Sequence, residues 1–153
     1  MSPVVAAVVS ATPVSQTKAS TMRVIAHSDQ PLEEWRVGVS TRMHVSAVNG
    51  ATGLCIFDQW VAPAMGAPTH SHPVEEVLMV VSGEADMWID ETHVVVSSGS
   101  SLIVPAGKKH GFRNIGPSTL HIHAILASAT FEASFDTGAV QRWQISTETP
   151  PSL

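Results

Sequence analysis

The chain has 153 residues, of which 44% are hydrophobic and 14% charged, and its formal net charge is −5. This composition fits one globular domain with its own core and excludes a disordered chain. The eight Lys and Arg residues are too few for a surface that follows nucleic-acid phosphates, so we expect no nucleic-acid partner.

The N-terminal segment begins with Met1–Val9, which contains a short apolar run but no preceding basic residue. A secretory signal needs both a positive charge and a longer apolar region, so we interpret residues 1–21 as an arm that is flexible or docks on a partner. No segment reaches the ~20 apolar residues of a membrane span. Cys55, the single cysteine, excludes an intramolecular disulfide and is typical of a small buried side chain. We therefore expect a cytoplasmic protein without a membrane partner.

Short runs rich in Val, Ile and Trp, separated by turn residues, predict strands along the rest of the chain. Asn49-Gly50, which lies between two of these runs, favours a hairpin. Gln30–Trp35 and part of Phe131–Trp143 are candidates for helices. The spacing of the strands predicts an all-β antiparallel sandwich or barrel over residues 22–143, followed by an extended tail at 144–153. The predicted strands are Arg36–Val48, Ala51–Val61, Val77–Val81, Ala85–Ile89, His93–Val96, Leu102–Val104 and Leu120–Ala127.

The segment from Pro68 to Glu76 carries the strongest chemical signal. His70 and His72 are two residues apart, so on a strand their imidazoles point to the same face. A straight strand would carry Glu76 about 13 Å beyond His72, too far to share a metal ion with it. Pro73 favours a bend directly after His72. Glu76 would then enter the neighbouring strand, opposite the two histidines.

A second segment, residues 99–114, ends an apolar run at the turn Pro105-Ala106-Gly107 and delivers His110 to the start of a further strand. Together with the first segment it offers three imidazoles and one carboxylate. Such a mixed nitrogen and oxygen donor set suits iron(II), manganese, nickel, zinc or copper, and does not favour calcium or magnesium.

These two segments resemble the motifs of the cupin family. Every spacing from the first histidine onward fits the family pattern. One position departs from it, because Ala64 stands six residues before that histidine, where the family usually has glycine, and Gly66 is available to form the turn instead. The motifs read His70-x-His72-x3-Glu76-x6-Gly83 and Gly99-x5-Pro105-x-Gly107-x2-His110-x3-Asn114.

The resemblance implies a double-stranded β-helix, or jelly-roll barrel, of the RmlC-like type. It also implies one divalent metal ion inside the barrel, with one or two coordination positions left for water, O2 or substrate. Family members often dimerise by sheet packing or strand exchange, so the resemblance implies a homodimer, to which the arm before Met22 could contribute. The implied metal ligands are His70, His72, Glu76 and His110.

Two further histidines, His121 and His123, lie on one face of a later predicted strand. If that face points inward, they line the cavity near the metal, and His123 could act as a catalytic acid or base. If it points outward, they are surface residues or lie in a dimer interface. His27, His44 and His93 have no partner pattern, and we interpret them as structural or solvated.

A substrate pocket would need apolar residues in its lining and polar residues at its mouth. Lys108, Lys109 and Arg113 surround His110 and are either solvated or in contact with a substrate carboxylate or enolate. An apolar lining would imply a substrate with apolar or aromatic character, although ordinary core packing also explains such side chains. The apolar candidates are Phe57, Trp60, Met79, Met87, Trp88 and Phe112.

Three functions fit this sequence, all with a small-molecule ligand. The first is a metal-dependent, dioxygenase-like oxidoreductase acting on a small enolisable or aromatic substrate, with iron(II) favoured and Glu76 also accepting a proton. The second is a non-oxidative lyase or isomerase, which an inward His121 or His123 would favour; the chain has no tyrosine, so a tyrosine base is excluded. The third is a metal-containing sensor or small-molecule binding module. The fold alone does not choose among them.

Overall fold

The structure, a computed structural model, describes residues 22–143. The predicted arm (1–21) and tail (144–153) lie outside the described residues. Within the described part, no helix is long and apolar enough to cross a membrane.

The described chain forms twelve strands and two short 3₁₀ helices, His27–Asp29 and Ala47–Asn49. All strand pairs are antiparallel. The strands are β1 (Leu32–Arg36), β2 (Val39–Val45), β3 (Cys55–Val61), β4 (Gly66–Ser71), β5 (Glu76–Ser82), β6 (Glu84–Ile89), β7 (Thr92–Ser97), β8 (Ser101–Val104), β9 (His110–Asn114), β10 (Leu120–Leu126), β11 (Glu132–Phe135) and β12 (Val140–Arg142).

The strands form two six-stranded sheets that enclose one core. Sheet I has the order β1-β2-β3-β10-β5-β8 and sheet II the order β12-β11-β4-β9-β6-β7. Burial alternates strictly along β3 and β10, as expected for strands with one face on a core. Phe57 and Ile122, for example, point into the core between the sheets. The prediction of an all-β jelly roll is confirmed. The chain passes repeatedly from one sheet to the other, as it does from β3 to β4 and from β4 to β5.

Two predictions about local structure are wrong. The candidate helix at Gln30–Trp35 is mostly strand β1, which pairs with β2. The candidate helix within Phe131–Trp143 is the hairpin β11–β12. In both segments strand pairing and the burial of large aromatic side chains override a weak local preference.

The predicted turns mostly form as expected. Asn49 and Gly50 lie in the connection between the paired strands β2 and β3, with Gly50 in the left-handed region at φ 109°. The chain leaves β4 at Ser71 and bends at Pro73 before Glu76 opens β5. Because β4 belongs to sheet II and β5 to sheet I, this bend carries the carboxylate to the sheet that faces the histidines.

The turn before β4 uses two positions in different ways. Ala64 adopts the left-handed conformation itself, at φ 66°, although an alanine is strained there. Gly66 is needed for another reason, because a Cβ atom at this position would lie 1.9 Å from the carbonyl oxygen of Phe112. The expectation that Gly66 replaces the missing glycine in the turn is therefore wrong.

Replacing Ala64 by glycine (A64G) should stabilise the protein by about 0.5–1 kcal/mol, because relief of left-handed strain exceeds the added chain entropy of glycine. Urea unfolding followed by circular dichroism measures this free energy. The matched variant G66A should instead destabilise the protein by more than about 2 kcal/mol, since its new methyl group meets backbone. A loss of stability in A64G would contradict the strain at Ala64.

Candidate metal centre

The structure brings together the four residues that the sequence motifs single out. His70 lies near the end of β4 and pairs in register with His110 at the start of β9, both in sheet II. His72 follows β4 directly, and Glu76 reaches across from sheet I. All four side chains are buried, with exposed fractions of 7% (His70), 2% (His72), 3% (Glu76) and 1% (His110). We call this group the tetrad.

One potential ligand atom from each member of the tetrad lies within 4.8 Å of all the others. The shortest contact joins His110 Nε2 and Glu76 Oε2 at 2.8 Å, and His72 Nε2 lies 3.4 Å from the same oxygen. Two atoms bound at right angles to one ion at about 2.1 Å are themselves about 3 Å apart. The tetrad therefore has the spacing of a metal site in which the donor atoms already converge.

Backbone carbonyl groups orient the three imidazoles. The Nδ1 atom of His70 lies 2.7 Å from the oxygen of Pro68, that of His72 lies 2.6 Å from Glu132, and that of His110 lies 2.9 Å from Lys108. A carbonyl oxygen can only accept, so each Nδ1 carries the hydrogen and donates it. Each Nε2 is thus left to face the centre of the tetrad, the arrangement usual for metal-bound histidines.

Burial and neighbouring charges set the protonation of the tetrad. Burial, together with the charge of His110, lowers the pKa of His70 to about 4. Burial opposes ionisation of Glu76, but the adjacent His110 and His72 imidazoles outweigh it and lower the pKa of that carboxyl to about 2. Burial also disfavours a charged His72, yet the adjacent Glu76 carboxylate raises the pKa of His72 above its usual value. Glu76 is therefore ionised and His70 neutral at neutral pH, which are the forms that bind metal.

The surroundings of the His72 Nε2 atom show whether a metal ion fits between the four side chains of the tetrad. This atom is buried and has no hydrogen-bond partner among the described residues, and the nearest Glu76 oxygen lies 3.4 Å away. A buried polar atom without a partner is costly, and a divalent cation between the four donors would satisfy it. The donor chemistry and this unpartnered atom agree, so the tetrad could hold a divalent transition-metal ion.

Three members of the tetrad, His70, His72 and Glu76, line a small cavity between the sheets. Its free space amounts to ≈ 20 Å³, about the room of one water molecule. Three aromatic side chains pack together on one wall, with ring centroids 4.7 Å apart for Trp35 and Phe131 and 5.5 Å apart for Trp35 and Phe57. The other lining residues outside the tetrad are Arg36, Gln59, Ala67, Leu78, Phe112 and Ala133.

His123, the histidine predicted to be catalytic, lies on the other face of sheet I. In β10 the alternate residues are buried in the core, and His121 and His123 point away from it. Both approach Asp58, with His123 Nδ1 2.5 Å from Oδ1 and His121 Nε2 3.4 Å from Oδ2. Their inward orientation, on which the catalytic role depended, is not observed.

His44 completes this outer cluster, with Nε2 3.0 Å from Asp58 Oδ2. Burial lowers the pKa of His44. Burial opposes ionisation of Asp58, but the adjacent His44 and His123 imidazoles outweigh it and lower the pKa of Asp58 below its usual value. His27 stacks on the His44 ring at a centroid distance of 3.9 Å. The interpretation of His27 and His44 as structural residues therefore fits their contacts.

The other pocket candidates divide between the two faces. Phe57 and Phe112 line the cavity, whereas Trp60 stacks on His121 at the outer face. The Lys108 and Lys109 side chains form ion pairs with Asp90 at 2.9 Å and Asp136 at 2.7 Å, respectively. Cys55 is buried, which raises the pKa of its thiol to about 12.

Sequence reasoning missed three residues of the cavity, namely Trp35, Arg36 and Phe131. Trp35 and Phe131 were assigned to candidate helices, and Arg36 to the start of a strand without a role. No motif marks them, because they lie far along the chain from both histidine segments. They reach the cavity through sheet order, which places β1 at the edge of sheet I and β11 beside β4.

Comparison with known proteins finds a family model and two relatives that match part of the chain. The family described as Cupin domain matches residues 59–126, a range that includes the whole tetrad. Auxin-binding protein 1 of Arabidopsis thaliana is 29% identical over 112 residues, which cover 65% of this chain and 56% of that protein. The chain thus spans little more than half the length of this relative. Protein SchB of Streptomyces halstedii is 28% identical over 95 residues, or 61% of this chain and 69% of SchB.

Solved structures share the fold. The polyketide cyclase RemF from Streptomyces resistomycificus aligns with a TM-score of 0.63 and 20% identity, covering 83% of this chain and 89% of RemF. At this level of identity the likeness concerns the fold, and the site must be argued from its own residues.

Proposed function

We propose that this chain, which is similar to the cupin family over residues 59–126, is a metal-dependent oxygenase that acts on a small enolisable or aromatic substrate. His70, His72, Glu76 and His110 would hold one divalent metal ion, with iron(II) favoured over manganese, nickel, zinc or copper. When bound, such an ion supplies the one-electron chemistry with O2 that amino-acid side chains lack.

The residues of the chain would prepare the site for this chemistry. The carbonyl groups of Pro68, Glu132 and Lys108 hold the three imidazoles by their Nδ1 hydrogens. The wall of Trp35 and Phe131 excludes water, which protects reactive species from side reactions. Glu76, ionised at rest, is the one carboxylate among the described lining residues, and it would accept a proton during turnover.

The observation that carries the proposal is the composition of the cavity lining. Among the lining residues that the structure describes, the ionisable groups are those of Arg36 and of three tetrad members, His70, His72 and Glu76. A lyase or isomerase needs a positioned acid or base to move protons, and His121 and His123, which could have served, point to the outer face. A cavity with an aromatic wall and no separate proton-transfer group favours oxygenase chemistry.

The test is O2 uptake by the iron(II)-loaded protein, prepared without air, against a panel of diketones, catechols and small hydroxy acids. Substrate-dependent O2 consumption by the wild type, absent in the H70A variant, is the expected result. Conversion of a panel compound without O2 uptake would show a non-oxidative enzyme instead. Stoichiometric metal without any conversion would favour a sensor or binding module.

A non-oxidative cyclase, lyase or isomerase is the second candidate. The observation in its favour is the buried, ionised Glu76 carboxylate in the cavity, in a fold that the polyketide cyclase RemF shares. In that case the metal ion acts as a Lewis acid on a carbonyl oxygen, and Glu76 would be the available base. Product formation under strictly anaerobic conditions distinguishes this candidate from the oxygenase.

A further inference from the structure

The Arg36 guanidinium is partly buried and has no counter-ion among the described residues. Its Nη1 atom is buried and has no hydrogen-bond partner among residues 22–143. The one contact found for its other Nη atom is long, 3.4 Å from Nη2 to Gln141 Oε1. No described carboxylate lies within ion-pair distance of this guanidinium, and burial lowers the pKa of Arg36. A guanidinium nitrogen that is buried without a partner is costly unless a ligand pairs with it.

A β-bulge aims Arg36 into the cavity. Neighbouring residues of a regular strand point to opposite faces, yet both Trp35 and Arg36 line the cavity. The register between β1 and β2 shifts between Glu34 and Arg36, and an extra residue of this kind redirects the side chains that follow it. The strand thus contributes both an aromatic wall and a cation to the site.

Arg36 lies where the tetrad cavity meets a larger outer groove. It lines both spaces, and the groove offers ≈ 540 Å³ where the inner cavity offers ≈ 20 Å³. The guanidinium carbon lies 5.7 Å from the centre of the Phe135 ring, and that ring in turn lies 5.6 Å from the His70 ring. A ligand whose body is too large for the inner cavity could therefore lie in the groove and direct one group inward past Arg36.

Arg113 lines neither of these two spaces, and the two lysines that precede His110 are already paired. Lys109 contacts Asp136, a groove residue, at 2.7 Å, and Lys108 contacts Asp90 at 2.9 Å. Arg42 lies over the Trp60 ring on the outer face of sheet I, away from the cavity. Arg36 is thus the cation of the described chain that remains available to an anionic ligand in the cavity.

We infer that Arg36 binds the carboxylate of the substrate, and that the aromatic or enolisable body of this acid packs against Pro68 and Phe135 in the outer groove. The planar guanidinium fork matches a carboxylate in two parallel hydrogen bonds, which an ammonium group cannot form. The inference rests on the proposed function, because the bound acid would be the substrate of the oxygenase. Binding of the carboxylate to Arg36 does not itself require the metal ion.

Calorimetric titration of metal-free protein with formate, acetate and benzoate, each beside its neutral amide, tests this site. The wild type should bind benzoate in preference to benzamide. R36Q should weaken benzoate binding by about 10- to 100-fold and leave benzamide unchanged, whereas R36K should restore part of the loss. The matched control R42Q removes a positive charge on the outer face of sheet I. It should change the affinity for neither benzoate nor benzamide.

Three results would overturn the inference: benzoate affinity unchanged in R36Q, an equal loss in R42Q, or no binding of any of the three anions to the wild type. Nickel(II) binding by R36Q keeps the two proposals separate. Loss of benzoate binding with normal nickel affinity leaves the metal site intact. Absence of nickel binding in the wild type would count against the proposed function while the anion titration still stands.

Discussion

Replacing His70 by alanine (H70A) is expected to weaken nickel(II) binding at least about 100-fold while the barrel stays folded. Removing a residue that only supports a metal ligand already costs 10- to 100-fold in affinity, and His70 would be a ligand itself. Its buried ring has no ion pair with Glu76, unlike those of His72 and His110. The metal-free variant should therefore lose stability only through lost packing, about 1–3 kcal/mol. Equilibrium dialysis with nickel(II) and thermal unfolding measure the two quantities separately.

Two further variants sharpen this experiment. H110A removes the partner that lies 2.8 Å from the buried Glu76 carboxylate, so it should lose metal and also destabilise the metal-free protein by about 3 kcal/mol or more. H93A is the matched control, because that exposed imidazole contacts Asp86 on the surface and no tetrad member. Nickel binding by H70A with wild-type affinity would remove His70 from the site.

The tetrad could be predicted because its geometry is mostly local. Two residues of strand place His70 and His72 on one face, and a proline directly afterwards makes the chain turn. The fixed spacing to Glu76 and His110 then matched a known family pattern. Even so, the sequence did not show that Glu76 belongs to the facing sheet, which explains how the four donors surround one point.

The residues that sequence reasoning misplaced depend on long-range pairing. Alternation in β10 shows that His121 and His123 share a face, but not whether that face is the inner one. The answer comes from β3, which pairs with β10 and places Asp58 opposite His123. Arg36 depends on a bulge in an edge strand, and bulges leave no reliable sequence signature without glycine.

Nickel(II) affinity is expected to fall at least about tenfold for each pH unit below the pKa of His72. The Glu76 carboxylate raises the pKa of His72 despite its burial, so this imidazole holds a proton in the metal-free protein up to a pH above its usual 6.5. Metal binding must release that proton from Nε2. With pKa values of about 4 and about 2, His70 and Glu76 are already in their binding forms above pH 5.5.

The number of protons released on binding is the direct measurement. Calorimetric titration with nickel(II) in buffers of different ionisation enthalpy should give at least about one proton at pH 5.5, and fewer as the pH rises well above the pKa of His72. Metal affinity falls in acid because the pKa of His72 is raised. His72 is protonated in the metal-free protein at low pH and must lose this proton before it can bind the ion. In the H93A control the number of protons released at each pH should be unchanged, since His93 lies outside the tetrad. Affinity that is constant between pH 8 and pH 5 would mean that His72 is not a ligand, and that the ion is held by groups already deprotonated across this range.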